Sequence, residues 1–188
     1  MDGPATLGAL RRRHRDRVGE ILRATSVFRE DEVAVALELF DEGIPEEALG
    51  SRPSALGRGE VAESREPRAE SYEFLGAFDA ESHLTGYACF GPTPATDRTW
   101  DLYWIAVDPA AQGSGAGTLL LAEVERRLVA RRARMLVVET SSRSEYAPTR
   151  GFYARRGYDE AARVRGFYAP GDDRVILTKR LHAPVGAE

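Results

Sequence analysis

Lysine is almost missing from this chain: Lys179 is the only one in 188 residues, so arginine carries nearly all the positive charge. Lys and Arg together number 26 against 30 Asp and Glu, a formal net charge of −4. That balance leaves no electrostatic footprint for a nucleic-acid partner. The basic run Arg11-Arg12-Arg13-His14-Arg15 is too short to change this and reads as a solvated segment at the end of an element. Cysteine is equally scarce. Cys89 alone excludes an intrachain disulfide and fits a reducing cytoplasm. Its apolar neighbours Tyr87, Ala88 and Phe90 make it a buried structural thiol rather than a nucleophile. His14, His83 and His182 have no metal-ligand spacing with one another or with Cys89, so no metal is expected. No apolar run reaches the length of a membrane span, and the first residues have no signal-peptide core. A cytoplasmic location with no membrane partner is the expectation.

What is present is the patterning of one globular domain across 1–188. A short strand is expected within 5–12 and a helix over 16–24, where Val18, Ile21 and Leu22 recur at helical spacing. A second helix follows over 26–41, with Val33, Ala36, Leu37 and Phe40 on one face. Residues 43–70 are rich in Gly, Pro, Ser, Arg and Glu and predict an irregular connection with at most one helical turn. Strands then dominate: 72–78 and 84–90 as a hairpin, 99–107 as a nearly continuous apolar run of a central strand. A helix over 115–130, a strand over 135–139, a short helix over 148–156 ended by Gly157, and strands over 163–168 and 175–181 complete the order. The last two strands join through Pro170-Gly171-Asp172-Asp173, a turn signal. This succession predicts an α/β fold, a mixed and partly parallel sheet with helices on both faces.

The stretch from Trp104 to Leu121 organises the rest. An apolar run ends at Val107-Asp108-Pro109, a glycine-rich turn follows at Gln112-Gly113-Ser114-Gly115-Ala116-Gly117-Thr118, and an apolar helix restarts at once. Glycine allows the sharp bend and the close approach of a ligand to the backbone. The amides of the loop and first helical turn lack intrahelical acceptors and sit at the positive end of the helix dipole, which suits a diphosphate. No lysine follows Gly117, so this is not a P-loop, and the glycine spacing is not the dinucleotide fingerprint.

Gln112-x-x-Gly115-x-Gly117 behind Val107 resembles the acetyl-CoA loop of the GNAT superfamily of N-acetyltransferases. A second stretch, Phe152-Tyr153-Ala154-Arg155-Arg156-Gly157-Tyr158, resembles that superfamily's Phe/Tyr-Tyr-x-x-x-Gly-Phe/Tyr motif and lies in the right order after the loop. The resemblance covers roughly 72–181 and is the core that would bind coenzyme; residues 1–70 form a helical part without a diagnostic motif. It implies a twisted sheet of about six or seven strands, with a V-shaped splay between the fourth and fifth. The pantetheine arm would lie there against the backbone of Ile105, Ala106 and Val107. The diphosphate would sit on Gln112, Gly113, Ser114, Gly115, Ala116, Gly117 and Thr118. An acceptor amine would attack the thioester directly, with Tyr153 also at the cofactor and protonating the departing thiolate. A phenol stays protonated at neutral pH and suits that role.

Two positions depart from the family pattern. Tyr146 stands where many members have Asn seven residues before the tyrosine, and Tyr103 stands where a Glu often sits on the central strand. A carboxylate base is therefore not inherited. Asp101 and Glu139 are the replacement candidates, beside a relay of waters. The acceptor site would draw on the N-terminal helices, on 141–146 and on the last turn. Tyr103, Tyr168 and Trp104 would line it, and Asp172 and Asp173 would attract a cationic amine. The expected activity is acetyl-CoA-dependent acetylation of a primary amine on a small molecule or amino-acid-type acceptor, with a homodimer among the expectations. An acetyl-CoA-binding sensor without turnover, and an enzyme acting on a protein N-terminus or lysine, are the competing readings.

Overall fold

A bulge in the central strand sets the architecture. In the computed structural model, which describes residues 5–44 and 72–181, the chain first forms β1 (Thr6–Gly8), α1 (Arg15–Ala24) and α2 (Glu30–Gly43). It continues with β2 (Glu73–Phe78), β3 (Leu84–Pro92), β4 (Thr99–Val107) and α3 (Ala116–Ala130). It ends with β5 (Met135–Ser141), α4 (Ala147–Ala154), β6 (Asp159–Ala169) and β7 (Asp172–Arg180). The seven strands make one sheet in the order β1-β2-β3-β4-β5-β7-β6. Only β4 and β5 run parallel; every other pair is antiparallel.

The ladder between β3 and β4 slips where Cys89 faces Trp104 and Phe90 faces Leu102, leaving Tyr103 as the extra residue. A bulge adds twist and re-aims the side chains beside it. Its effect is visible in the packing. Leu102 and Ile105 belong to the cluster under α3 and α4, whereas Tyr103 and Trp104 both belong to the cluster under α1 and α2. The parallel ladder between β4 and β5 starts at Thr99 and Met135 and stops at Leu102 and Val138. Beyond that point the two strands part.

One core cluster joins Leu120, Val124 and Leu128 of α3 to Leu102, Leu136 and Val138 of the sheet. The other joins Val18, Ile21 and Leu22 of α1 and Val33, Ala36 and Phe40 of α2 to Tyr87, Cys89 and Ala106. Truncating a fully buried leucine such as Leu120 would cost about 2–5 kcal/mol through the lost transfer energy and the cavity left behind. Cys89 is buried and unpaired, and burial pushes its thiol far up from the ordinary value.

Differences from the sequence expectations have local causes. α2 starts at Glu30 rather than at residue 26, because Ser26 has φ +58° and the Arg29 amide is capped by the Glu32 carboxylate at 2.8 Å. Three acidic residues, Glu30, Asp31 and Glu32, then fill its first turn, where the helix dipole favours them. The basic run near residue 11 is not simply solvated. Arg12 and Arg15 both pair with Asp41, fastening the start of α1 to the end of α2. From residue 45 on, the irregular connection expected over 43–70, with its helical turn, lies outside the described residues.

Candidate functional site

Two features flank the parting of β4 and β5: an open loop at the start of α3 on one face, and a cavity on the other. The loop begins where Asp108 ends β4. Its carboxylate accepts the Ala110 amide at 2.8 Å and pairs with Arg17, which ties the turn to α1. Gly113 and Gly115 have φ +84° and +90°, conformations strained for any residue with a Cβ. A Cβ at either would meet nothing within 4 Å, so the space before the loop is clear. At Gly117 a Cβ would touch Val107 and Phe152 at ordinary distances, so packing does not demand glycine there.

Among the described residues, the amides of Gly113, Gly115, Gly117 and Thr118 have no backbone acceptor; the first helical bond runs from Leu119 to Gly115, at 2.9 Å. No acidic residue stands in the first turn of α3. Clear space, unpaired amides and the positive end of a helix fit a diphosphate. Beyond Leu102, β4 pairs with β3 on one side and with no strand on the other. The edge of Ile105, Ala106 and Val107 toward β5 therefore fits the amides of a pantetheine arm.

The cavity measures about 410 Å³ and lies on the face packed by α1 and α2. β4 contributes Asp101 and Tyr103, β5 contributes Glu139 and Ser141, and the last hairpin contributes Tyr168, Asp172 and Arg174. Phe28, Arg29 and Glu32 wall it from the start of α2, and Arg143 and Tyr146 from the segment after β5. That wall is fastened at Val27: the Tyr146 hydroxyl donates to its carbonyl at 3.0 Å, and Arg143 donates to the same carbonyl at 3.3 Å.

Charges inside are mostly matched. Arg174 pairs with Glu139, and Arg143 lies 3.5 Å from Asp172, which also accepts from the Ser141 hydroxyl. Asp101 differs. Among the described residues, the side chain that hydrogen-bonds it is Thr93, whose hydroxyl donates at 2.8 Å. Burial, with a smaller push from Glu139, holds its carboxyl above the usual carboxylate range.

The structure thus gathers Asp101, Glu139, Tyr103, Tyr168 and Asp172 around one cavity. Asp172, expected in a turn that would attract a cationic amine, is buried at 9% exposure and does line the cavity. Asp173 does not reach the cavity. Its carboxylate accepts from the Gly166 amide and from Arg163, bonds within the hairpin itself. Tyr153 lies across the sheet, 2% exposed, its ring edge-to-face with Phe152 and Tyr158. Burial pushes its phenol well above the ordinary value, so it keeps its proton. Tyr153 belongs to the core cluster under α3, whereas the carboxylates line the cavity on the other face.

Sequence reasoning named the N-terminal helices and 141–146 as segments without singling out Phe28, Arg29, Glu32 or Arg143, and it missed Arg174. Their partners lie far along the chain, and no local pattern marks them. The nearest signal was Tyr146 itself, a bulky hydroxyl where the family keeps a small amide.

Among the described residues, the possible metal ligands that cluster are Asp79, Glu81 and His83. They form the β2–β3 turn, where Asp79 accepts the Glu81 and His83 amides. No helix among the described residues is long and apolar enough to cross a membrane.

The family model for the acetyltransferase (GNAT) family matches residues 42–158, more than half the chain. A solved protein from Desulfovibrio desulfuricans, assigned to the GNAT acetyltransferases, shares 34% identity over 95% of this chain and 99% of its own, with a TM-score of 0.74. The ribosomal-protein-S18-alanine N-acetyltransferase of Escherichia coli superposes at a TM-score of 0.67 with 18% identity, covering 98% of this chain and 99% of that one. A Salmonella typhimurium protein, assigned as an acetyltransferase and solved with its cofactor acetyl-CoA, gives 0.64 and 16%, covering 99% of both. The comparison with curated proteins gives no match.

The chain belongs to the GNAT family of acetyltransferases. It is an acyltransferase, and acetyl-CoA is its co-substrate.

Proposed function

We propose that this enzyme acetylates the primary amine of a small-molecule or amino-acid-type acceptor, bound in the cavity beside Asp101. The observation that carries the reading is the wall at Phe28, Arg29 and Glu32, pinned by Tyr146 and Arg143 to Val27. A cavity of about 410 Å³ closed on that side has the size of a small-ligand pocket. A protein substrate such as the one named for the Escherichia coli relative needs room for a chain to pass through, and the pinned wall opposes that.

Acetyl-CoA supplies the activated acyl group. The protein must then hold a neutral amine against the thioester carbon, take up the proton the amine sheds, and protonate the thiolate. As the new C–N bond forms and the C–S bond breaks, Asp101 accepts the amine's proton, directly or through one water. Among the described residues it forms no ion pair, and its raised affinity for protons suits a base. Glu139 is tied to Arg174 and shapes the field around Asp101. Tyr153, protonated and buried on the coenzyme face, donates to the sulfur through the gap. Tyr103 and Tyr168 contact the acceptor, and Asp172, held by Ser141 and Arg143, orients its polar groups. Asp173 serves the hairpin only. The lone thiol, Cys89, is buried and reduced, as suits a cytoplasmic protein.

Thiol release from acetyl-CoA, followed across a panel of polyamines, amino acids, aminoglycosides and short peptides, tests the reading. Turnover with a small amine is the expected result. Turnover with peptides alone would move the acceptor class to proteins, and saturable coenzyme binding with no acetylation of any amine would make the chain a sensor.

A further inference from the structure

The α3 loop supplies amides to the coenzyme, but a cation from α4 stands beside it. Arg156 follows α4, yet its guanidinium crosses to the start of α3, where Nη2 donates to the Thr118 hydroxyl. Nη1 donates to the Phe152 carbonyl at 2.8 Å, and the guanidinium carbon sits 3.7 Å from the centre of the Phe152 ring. Its Nε is buried with no hydrogen-bond partner. Neighbouring arginines on α3 behave differently: Arg126 and Arg127 each pair with Glu123, and Arg131 with Glu73. Among the described residues no carboxylate forms an ion pair with Arg156.

That placement is electrostatically adverse as it stands. The first turn of α3 already presents unpaired amides and the positive end of the helix dipole. A guanidinium fixed there adds like charge, and a partly buried donor without an acceptor costs further. An anion resting on both the amides and the guanidinium would offset that like charge. Phosphate is the anion that a planar fork of N–H donors fits best.

We infer that Arg156 is a phosphate-binding residue of the coenzyme site, holding the diphosphate of acetyl-CoA from the α4 side while the α3 loop holds it from the other. This rests on the loop being the diphosphate site. It assigns a second role to the motif that carries Tyr153: the same short segment faces the sulfur with one residue and the diphosphate with another. Thr118 is the anchor that keeps the guanidinium in position, and the Phe152 ring is its platform.

Calorimetric binding of coenzyme A, of dephospho-coenzyme A and of pantetheine to the wild type and to Arg156→Gln separates the possibilities without any acceptor amine. R156Q should bind coenzyme A and dephospho-coenzyme A about tenfold or more weakly, the size expected for a charged hydrogen bond. Its affinity for pantetheine, which has no diphosphate, should not change. Should R156Q fail to fold, Thr118→Val, which removes only the anchor, should weaken the two nucleotides in the same pattern.

Unchanged affinity for coenzyme A in R156Q would overturn the role of Arg156. So would equal weakening toward pantetheine, which marks a structural residue, or a loss that vanishes with dephospho-coenzyme A, which marks a contact to the 3′-phosphate instead. A wild-type chain that binds none of the three would overturn the loop assignment and this inference with it.

Discussion

Tyr146 and Val27 are 119 positions apart in the chain, yet the hydroxyl of one donates to the carbonyl of the other at 3.0 Å. That bond walls the cavity proposed for the acceptor by fixing the connection between α1 and α2 to the segment after β5. Tyr146→Phe keeps the ring over which Arg143 lies at 5.4 Å and removes only the donor. The expected cost to stability is about 1 kcal/mol, the net worth of one hydrogen bond. The acceptor KM should rise several-fold with kcat nearly unchanged, as when uniform binding is lost. Steady-state kinetics beside a thermal melt would show it; unchanged KM would mean that the wall does not touch the acceptor.

Asp101 predicts a pH dependence. Burial is the largest cause of its raised pKa, opposed by the Thr93 hydroxyl and by Arg174 and reinforced by Glu139. A protonated carboxyl cannot accept the amine's proton. Activity should therefore fall as pH drops through a value above the ordinary aspartate value of about 3.9. Asp101→Asn should lower kcat about a hundredfold or more and abolish that acid limb. A limb that persists in D101N would assign it to another group.

Tyr153→Phe removes the phenolic proton and little else from a ring 2% exposed. Turnover should drop by about two orders of magnitude while acetyl-CoA affinity changes little, since the proposed role of the hydroxyl is at the leaving sulfur. A calorimetric titration run beside the kinetics checks both halves, and undiminished turnover would remove Tyr153 as the acid.

Gly115 combines φ +90° with clear space before it. A bulky residue such as Val strains the backbone by about 1–2 kcal/mol and projects its side chain into the space proposed for the diphosphate. Loss of acetyl-CoA binding with circular dichroism unchanged is the expected outcome. Full affinity in that variant would move the diphosphate elsewhere.

Much of the fold was legible because its signals are local. Period and punctuation placed the strand over 99–107 at the ends it has in the structure, and the helix of 115–130 within one residue. Start signals were weaker for α2, where the cap at Arg29 and Glu32 outcompetes Ser26. The bulge at Tyr103 was invisible, because strict alternation cannot report a skipped residue. It puts Tyr103 and Trp104 on the same face and returns Ile105 to the opposite one. The site was legible only where a motif carried it. The glycine loop and the tyrosine segment announce themselves, whereas Arg143 and Arg174 gain meaning only through partners that the fold brings to them. Asp172 and Asp173 are adjacent in sequence and part company in space, since neighbours on a strand face opposite ways.

β6 borders the sheet, and all eleven of its residues are exposed, Val164 and Phe167 among them. A long bare edge invites a foreign strand to dock. Here the ladder with β7 slips twice, at Glu160/Ala162 and Val164/Ala169, and Gly166 takes φ +61° in the second interruption. Those breaks, with Asp159, Glu160, Arg163 and Arg165 along the rim, leave an intruding chain no unbroken row of amides to copy. The molecule can thus leave its last hairpin beside the acceptor cavity uncovered without becoming a seed for its own aggregation.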